Sequence, residues 1–279
     1  MFYYFSTFVF LFGIIIGSFL NVVILRYNTG KNINGRSACF SCGKTLQWFE
    51  LFPVLSFIFL KGKCRSCKTK ISWQYPIVEF LTGLMFLGLY VKFFDFFIFP
   101  QYILLAFLYA IIFCILMVIT VYDAKHKIIP DGAVYSFIVF SFITLLFRSF
   151  YFGGGFQFFI CDIITGLAIF LFFFSLWFFS SGKWMGFGDA KLALGIGWSL
   201  GFPAGISAIV FAFWIGAAVG VALIIFKYIS LSIVHTIKLP KAFKHLTIKS
   251  EIPFAPFLVL GMVLVFFFNL DLFLSLQMF

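Results

Sequence analysis

Two aspartates beside apolar segments have the residue type and position for acid/base chemistry. Asp123 ends one apolar run, and Asp189 follows Gly186 and Gly188 at the beginning of a shorter one. The chain has only nine acidic residues, and a carboxylate near a membrane span is costly unless it is paired or used. Two carboxylates that approach each other do not both ionise readily, so one holds a proton while the other activates water. The pair therefore predicts hydrolysis of a peptide bond.

The carboxylates near these segments also have structural interpretations. Asp123 would be an interfacial group neutralised by Lys125 or Lys127. An aspartate after a glycine turn, such as Asp189, commonly caps a helix. Asp131 directly follows Pro130 and is predicted to be the N-cap of the next helix. The hydrolytic interpretation of Asp123 and Asp189 depends on both lying at the same membrane depth.

Four cysteines form two Cys-x-x-Cys pairs, separated by 21 residues in the most polar part of the chain. Four thiolates at this spacing can surround Zn²⁺ and supply folding energy that about 50 residues cannot obtain from a core. Redox-active or unligated thiols are the alternative, but a cytoplasmic position disfavours disulfides. We predict a structural zinc site, with the two remaining cysteines, Cys114 and Cys161, as packing residues. The predicted zinc ligands are Cys39, Cys42, Cys64 and Cys67.

The composition places these residues in a membrane. The chain has 279 residues, of which 63% are apolar and 10% charged, against about 45–50% and about 25% in soluble domains. At about 20 residues a span, this predicts an all-α polytopic membrane protein with about eight transmembrane helices. The expected domains are transmembrane helix 1 at 1–25, a small cytoplasmic zinc-binding domain at 26–75, and a membrane-embedded domain at 76–279 holding helices 2–8.

The basic residues predict the orientation of the spans. If 189–200 crosses the membrane, 18 of the 20 Lys and Arg lie on one face, with Lys92 and Arg148 as the exceptions. The positive-inside rule makes that face cytoplasmic and places both termini outside. Asp162 and Asp271 then belong to the outer half. If 189–200 does not cross, the difference in Lys and Arg content between the two faces becomes smaller. The basic segment 227–253 is expected to contact solvent or lipid headgroups. The net charge of +11 is interpreted as a signal of membrane orientation and not of nucleic-acid binding.

Several short motifs follow one another along the chain. They are Gly17-Ser-Phe-Leu-Asn21-Val, Arg36-Ser-x-Cys39-x-x-Cys42, Cys64-Arg-x-Cys67, Tyr75-Pro76-x-x-Glu79, Asp123 with Ile129-Pro130-Asp131, and Gly186-x-Gly188-Asp189-x-Lys191. Their order and spacing are similar to those of the type IV prepilin peptidase family. A small departure is Phe40, where the family usually has proline after the first cysteine.

This resemblance implies a bifunctional aspartyl protease of the bacterial inner membrane. Asp123 and Asp189 would be the catalytic pair, cutting prepilin or pseudopilin substrates after a Gly at the cytoplasmic boundary. S-adenosylmethionine would donate a methyl group to the new amino terminus, although no Gly-rich nucleotide motif identifies its site. Membrane lipid is the other expected partner. The candidate substrate-binding residues are Gly186, Gly188, Lys191, Glu79 and Asn21. For Glu79 and Asn21 the structural alternative is interhelical hydrogen bonding or helix capping.

Two other functions are compatible with parts of this pattern. A proton-coupled transporter would use the aspartates as a proton relay, but it would more naturally place them near mid-bilayer with broken helices. A zinc-ribbon scaffold would explain the cysteines and leave the aspartates unused. Shortening of a leader-bearing peptide after Gly distinguishes the peptidase from both alternatives.

Overall fold

A computed structural model describes residues 2–29, 32, 35–152, 155–233 and 253–273. Within these ranges the chain is helical, and extended pairing is limited to two isolated bridges, Ala38 with Thr45 and Lys63 with Lys70. The chain divides into two compact units, Met1–Val121 and Tyr122–Phe279. The predicted all-α class is confirmed.

Nine α-helices occur in this described part of the chain. The long, uninterrupted apolar runs form the long helices, and the described polar residues between the first two long helices include one short α-helix. In order they are α1 (Phe2–Arg26), α2 (Leu55–Phe59), α3 (Gln74–Phe93), α4 (Pro100–His126), α5 (Asp131–Tyr151), α6 (Gly155–Ser180), α7 (Phe187–Leu200), α8 (Ala204–Ile233) and α9 (Ala255–Phe268).

Six of these helices are long and apolar enough to cross a membrane: α1, α3, α4, α5, α6 and α8. This confirms a polytopic membrane protein. The other two segments that were expected to cross form α7 and α9, each of 14 residues. At 1.5 Å per residue each is about 21 Å long, less than the roughly 30 Å hydrocarbon layer. The bounds of the three expected domains and the sidedness of the spans stay predictions.

In the first unit, α1 and α3 pack closely. A Cβ atom on Gly17 would lie 2.7 Å from the Cα of Glu79, so the helices approach at a position that only glycine admits. A small apolar core surrounds this contact. It consists of Leu20, Ile24, Val78, Met117 and Val118.

In the second unit, α7 is the central helix and packs against α5, α6, α8 and α9. Nine of its 14 residues are buried, so its backbone lies close to its neighbours. A Cβ on Gly197 would lie 2.7 Å from the Cα of Gly166 in α6. The expected basic segment 227–253 falls largely outside the described residues, since 234–252 are not among them.

Candidate active site and metal centre

Asp123 lies in the last turn of α4, where a long apolar helix ends in Lys125 and His126. Its side chain is buried, with 4% exposed. The backbone of Ala255, at the beginning of α9, donates a hydrogen bond to the carboxylate. The Oδ2 atom is buried and has no hydrogen-bond partner among the described residues. Asp123 therefore has one carboxylate oxygen without a hydrogen-bond partner in the described part of the chain.

Asp189 occupies the third position of α7 and is 7% exposed. The N–H of Gly186 donates to its Oδ2 at 3.2 Å, and its own N–H donates to the carbonyl of Gly186 at 3.1 Å. This reciprocal pair satisfies backbone groups that the start of a helix otherwise leaves unpaired. Asp189 thus helps to cap α7 from within the first turn, and Gly186 holds the N-cap position.

The two carboxylates lie in the second unit within range of electrostatic interaction. Both are buried, and in a low-dielectric setting like charges repel strongly, so ionisation of one opposes ionisation of the other. Two carboxylates that interact strongly titrate as a unit. The arrangement can supply an acid and a base to one water molecule.

Lys191, two residues after Asp189 in the chain, forms an ion pair with Asp131. The Lys191 Nζ donates to Asp131 Oδ1 at 2.7 Å and to the Tyr135 hydroxyl at 3.1 Å. It also lies 4.7 Å from the Tyr135 ring centroid and 4.9 Å from that of Phe187. The prediction that Asp131 is an N-cap is wrong by one residue: Pro130 has extended backbone angles and is the N-cap, and Asp131 is the first helical residue of α5.

The two glycines before Asp189 contact protein groups in this structure. A Cβ on Gly188 would lie 2.9 Å from the Cβ of Ile129, and one on Gly186 would lie 3.4 Å from the Asp189 Oδ2. Gly188 thus permits the start of α7 to approach the connection between α4 and α5. Their expected contact with substrate backbone stays a prediction.

Glu79 and Asn21 lie in the first unit, on α3 and α1, and both are buried. Glu79 Oε2 accepts the N–H of Val54 at 2.7 Å, and Asn21 Nδ2 donates to the carbonyl of Tyr75 at 3.1 Å. Asn21 Oδ1 has no partner among the described residues. The structural alternative, hydrogen bonding between segments, accounts for the contacts of both side chains, and their substrate role stays a prediction.

The four cysteines of the Cys-x-x-Cys pairs meet in the first unit. Their sulfur atoms all lie within 4.8 Å of one another, and the Cys39 and Cys67 sulfurs are 3.8 Å apart. A tetrahedron with Zn–S bonds of about 2.3 Å has edges of about 3.8 Å. The cluster therefore fits a tetrahedral metal site. Its members are Cys39, Cys42, Cys64 and Cys67.

Each cysteine pair lies in a tight turn closed by backbone hydrogen bonds. The Cys39 N–H donates to the carbonyl of Lys44 at 3.0 Å, and the Cys64 N–H donates to that of Thr69 at 2.8 Å. Hydrogen bonds from the Thr69 side chain and backbone lower the pKa of the Cys67 thiol to about 6. A lowered thiol pKa favours the thiolate, which is the form that binds metal.

Sequence reasoning missed the relation between Arg148 and Asp162. These residues form an ion pair, with 2.7 Å between Nη2 and Oδ2. The available signal was position: Arg148 is one of two basic residues outside the predicted cytoplasmic segments, and a charge within a span usually has a partner.

Comparisons with known families cover most of the chain. A model described as the bacterial peptidase A24 N-terminal domain matches residues 11–93, and one described as the type IV leader peptidase family matches residues 110–221. The first range contains the four clustered cysteines and Glu79, and the second contains Asp123 and Asp189.

Several curated proteins are similar to the chain over most of its length. Proteins named prepilin leader peptidase/N-methyltransferase are 30% identical in Bacillus subtilis, covering 93% of both chains, and 31% identical in Aeromonas hydrophila, covering 80% of this chain and 82% of the relative. A relative of the same name in Myxococcus xanthus is 31% identical over 79% of this chain, which spans 64% of that protein. No solved structure matches.

Proposed function

Since the chain belongs to the type IV leader peptidase family, we propose that it is a membrane-embedded aspartyl endopeptidase that removes the short basic leader of type IV prepilin-like proteins after a Gly. Family membership confirms the inferred resemblance and the prediction of an enzyme. The observation that supports the catalytic assignment is the buried Asp123–Asp189 pair, with the Asp123 Oδ2 lacking a partner among the described residues. The proton-relay transporter is not favoured.

The proposed reaction uses the two carboxylates in opposite protonation states. The ionised carboxylate takes a proton from water, whose oxygen attacks the carbonyl carbon of the Gly, while the protonated one donates to the carbonyl oxygen. The carboxylate that took the proton from water then gives it to the amide nitrogen, the other carboxylate takes a proton back from a hydroxyl of the tetrahedral intermediate, and the C–N bond breaks to release the amine. Either aspartate can begin as the base, because the pair holds one proton in common.

The proposed substrate contacts are the residues of the family motif around Asp189. Gly186, Gly188 and Lys191 lie within three residues of it in the chain. We assign the basic face of the protein to the cytoplasm, so that the substrate's apolar helix would lie in the bilayer with its scissile bond at the boundary. Glu79 and Asn21 are proposed contacts on the family motif alone, because backbone groups of Val54 and Tyr75 hold them in the structure.

We further propose that the cysteine cluster binds one structural zinc ion. The four thiolates leave no coordination position for a substrate, so the metal would stabilise the segment between α1 and α3 and take no part in hydrolysis. The sulfur spacing supports this assignment.

Methylation of the new amino terminus is proposed from the names of the relatives. S-adenosylmethionine would supply the methyl group as an activated sulfonium. The described residues contain no strand–turn–helix unit of the kind that commonly binds a nucleotide, so we assign no residue to the donor.

A single experiment tests hydrolysis and methylation. Purified enzyme in detergent is incubated with a synthetic peptide carrying a basic leader, Gly and an apolar segment, with and without S-adenosylmethionine. Mass spectrometry should show a product shortened after Gly, and one added methyl group only when the donor is present. A peptide with Val in place of that Gly is the control. An uncut leader peptide would overturn the peptidase proposal, whereas cutting without a methyl gain would overturn only the second activity.

A further inference from the structure

Arg148, near the end of α5, reaches the end of α7. Its Nη1 donates to the carbonyl oxygens of Ser199 at 2.9 Å and Leu200 at 2.6 Å. Its Nη2 donates to Asp162 Oδ2 of α6 at 2.7 Å. One guanidinium group therefore joins three helices.

Asp162 extends this network into the connection between α7 and α8. Its Oδ1 accepts the N–H of Phe202 at 3.0 Å, so both carboxylate oxygens are used. Gly201 has a φ of +74° and lies against the pair, where a Cβ atom would overlap both the Arg148 guanidinium and the Asp162 carboxylate. The turn after α7 is thus shaped around the ion pair.

The length of α7 explains why its end needs such partners. With 14 residues it is about 21 Å long and cannot reach both surfaces of a hydrocarbon layer of about 30 Å. The last carbonyl groups of a helix have no partner within the helix, and unpaired polar groups in hydrocarbon cost several kcal/mol each. A cation at the negative end of the helix dipole adds stabilisation.

The helix is held by charged side chains at both ends, and α5 supplies a partner at each. Asp131 of α5 binds Lys191 in the first half of α7, and Arg148 binds the last two carbonyl groups. Asp189 lies two residues before Lys191. Movement of α7 along or about its axis would therefore displace Asp189 with it.

We propose that Arg148 and Asp162 are positioning residues for the peptidase reaction: they anchor the end of α7 and thereby set the placement of Asp189 relative to Asp123. This inference rests on the proposed function, in which those two aspartates are catalytic. The proposal also gives a role to Arg148, one of the two basic residues that lie outside the predicted cytoplasmic segments.

Cleavage kinetics give the first test. Asp162→Asn keeps the shape of the side chain and removes its charge, and Arg148→Lys keeps the charge and removes the planar fork. Each should lower kcat about tenfold or more with KM changed less than about twofold, because a displacement of about 1 Å in a catalytic group can cost about a hundredfold. Thr165→Ala is the matched control, since Thr165 is a buried polar residue of α6 whose hydroxyl donates to Cys161 in the same helix. Wild-type kcat in either variant would overturn the proposal.

A cross-linking measurement tests the same inference without activity. The double variant Asp123→Cys/Asp189→Cys is treated with a short bifunctional thiol reagent, and the peptide joining positions 123 and 189 is quantified by mass spectrometry. Adding Asp162→Asn should lower the yield by about threefold or more, and adding Thr165→Ala should leave it unchanged. An unchanged yield with Asp162→Asn would overturn the positioning role even if kcat falls.

The two tests separate the inference from the proposed function. If Asp189→Asn enzyme cuts the leader peptide at the wild-type rate, the catalytic assignment fails, and the inference fails with it. If Asp189→Asn is inactive and Asp162→Asn is fully active, only the positioning role fails.

Discussion

The Lys191 ammonium group lies 2.7 Å from the Asp131 carboxylate, yet the two side chains differ sharply in exposure, 13% for Lys191 and 71% for Asp131. The lysine is enclosed by the Tyr135 and Phe187 rings, and Asp131 approaches it from solvent. The pair fastens the beginning of α5 to α7 two residues after Asp189. Lys191 therefore depends on its protein contacts, whereas the exposed Asp131 carboxylate can be replaced at little cost in stability.

This difference in exposure predicts unequal effects of neutralising the two residues. Asp131→Asn should lower the free energy of unfolding by about 1 kcal/mol or less, because a solvent-exposed ion pair contributes little. Lys191→Met should reduce cleavage of the leader peptide by about tenfold or more, since it removes the hydrogen bonds that join α7, the helix that carries Asp189, to Asp131 and Tyr135 of α5. Thermal unfolding and steady-state kinetics in detergent measure the two effects. An inactive but folded Asp131→Asn enzyme would contradict the prediction that the two residues differ in importance.

The catalytic assignment predicts loss of hydrolysis in the amide variants of either aspartate. Asp123→Asn and Asp189→Asn should each reduce kcat by about a hundredfold or more, because general acid/base catalysis contributes about 10²–10⁴. An amide side chain at position 189 can still accept the Gly186 N–H, so the cap of α7 should survive and the loss should reflect chemistry. Asp95→Asn, in an exposed turn of the first unit, is the control and should cut at the wild-type rate. Processing by either amide variant at that rate would refute the assignment.

The cysteine cluster predicts about one zinc ion per chain in purified protein. Cys64→Ser should abolish most zinc binding, because Cys64 is the buried ligand of the four and a three-thiolate site is incomplete. The segment 27–73 should then become sensitive to protease, since metal binding supplies its folding energy. Elemental analysis and limited proteolysis measure the two effects. Cys161→Ser, outside the cluster, should retain the metal; wild-type protein purified without zinc would refute the site.

The features that follow from short spacing could be predicted from sequence. Each Cys-x-x-Cys turn forms from residues close together in the chain, and only the approach of the two turns depends on the tertiary fold. A long run of apolar residues likewise predicts a helix from local sequence. The α7 partners of Asp131 and Arg148 could not be predicted. Lys191 lies 60 residues from Asp131, and the carbonyl groups that Arg148 binds lie 51 and 52 residues away. These contacts depend on how α5 packs against α7, which periodicity does not specify.

The packing of α7 against α5 gives a prediction about stability. A Cβ on Gly195 would overlap the ring of Phe137, and both residues are buried. Gly195→Ala should therefore destabilise the protein by about 1–3 kcal/mol, the usual cost of overpacking. Adding Phe137→Leu should recover part of the loss, because the smaller side chain vacates the space near the new methyl group. Thermal unfolding of the two single variants and the double variant measures this coupling.

The control for this prediction is a helical glycine with open surroundings. No atom of the described residues lies within 4 Å of a Cβ built on Gly220 in α8, so Gly220→Ala should be neutral or stabilising by up to about 1 kcal/mol. Equal destabilisation by Gly195→Ala and Gly220→Ala would show that the loss comes from glycine replacement in general. A loss of stability that occurs only in Gly195→Ala and is partly recovered by Phe137→Leu would instead show that it arises at the contact between α7 and Phe137 of α5.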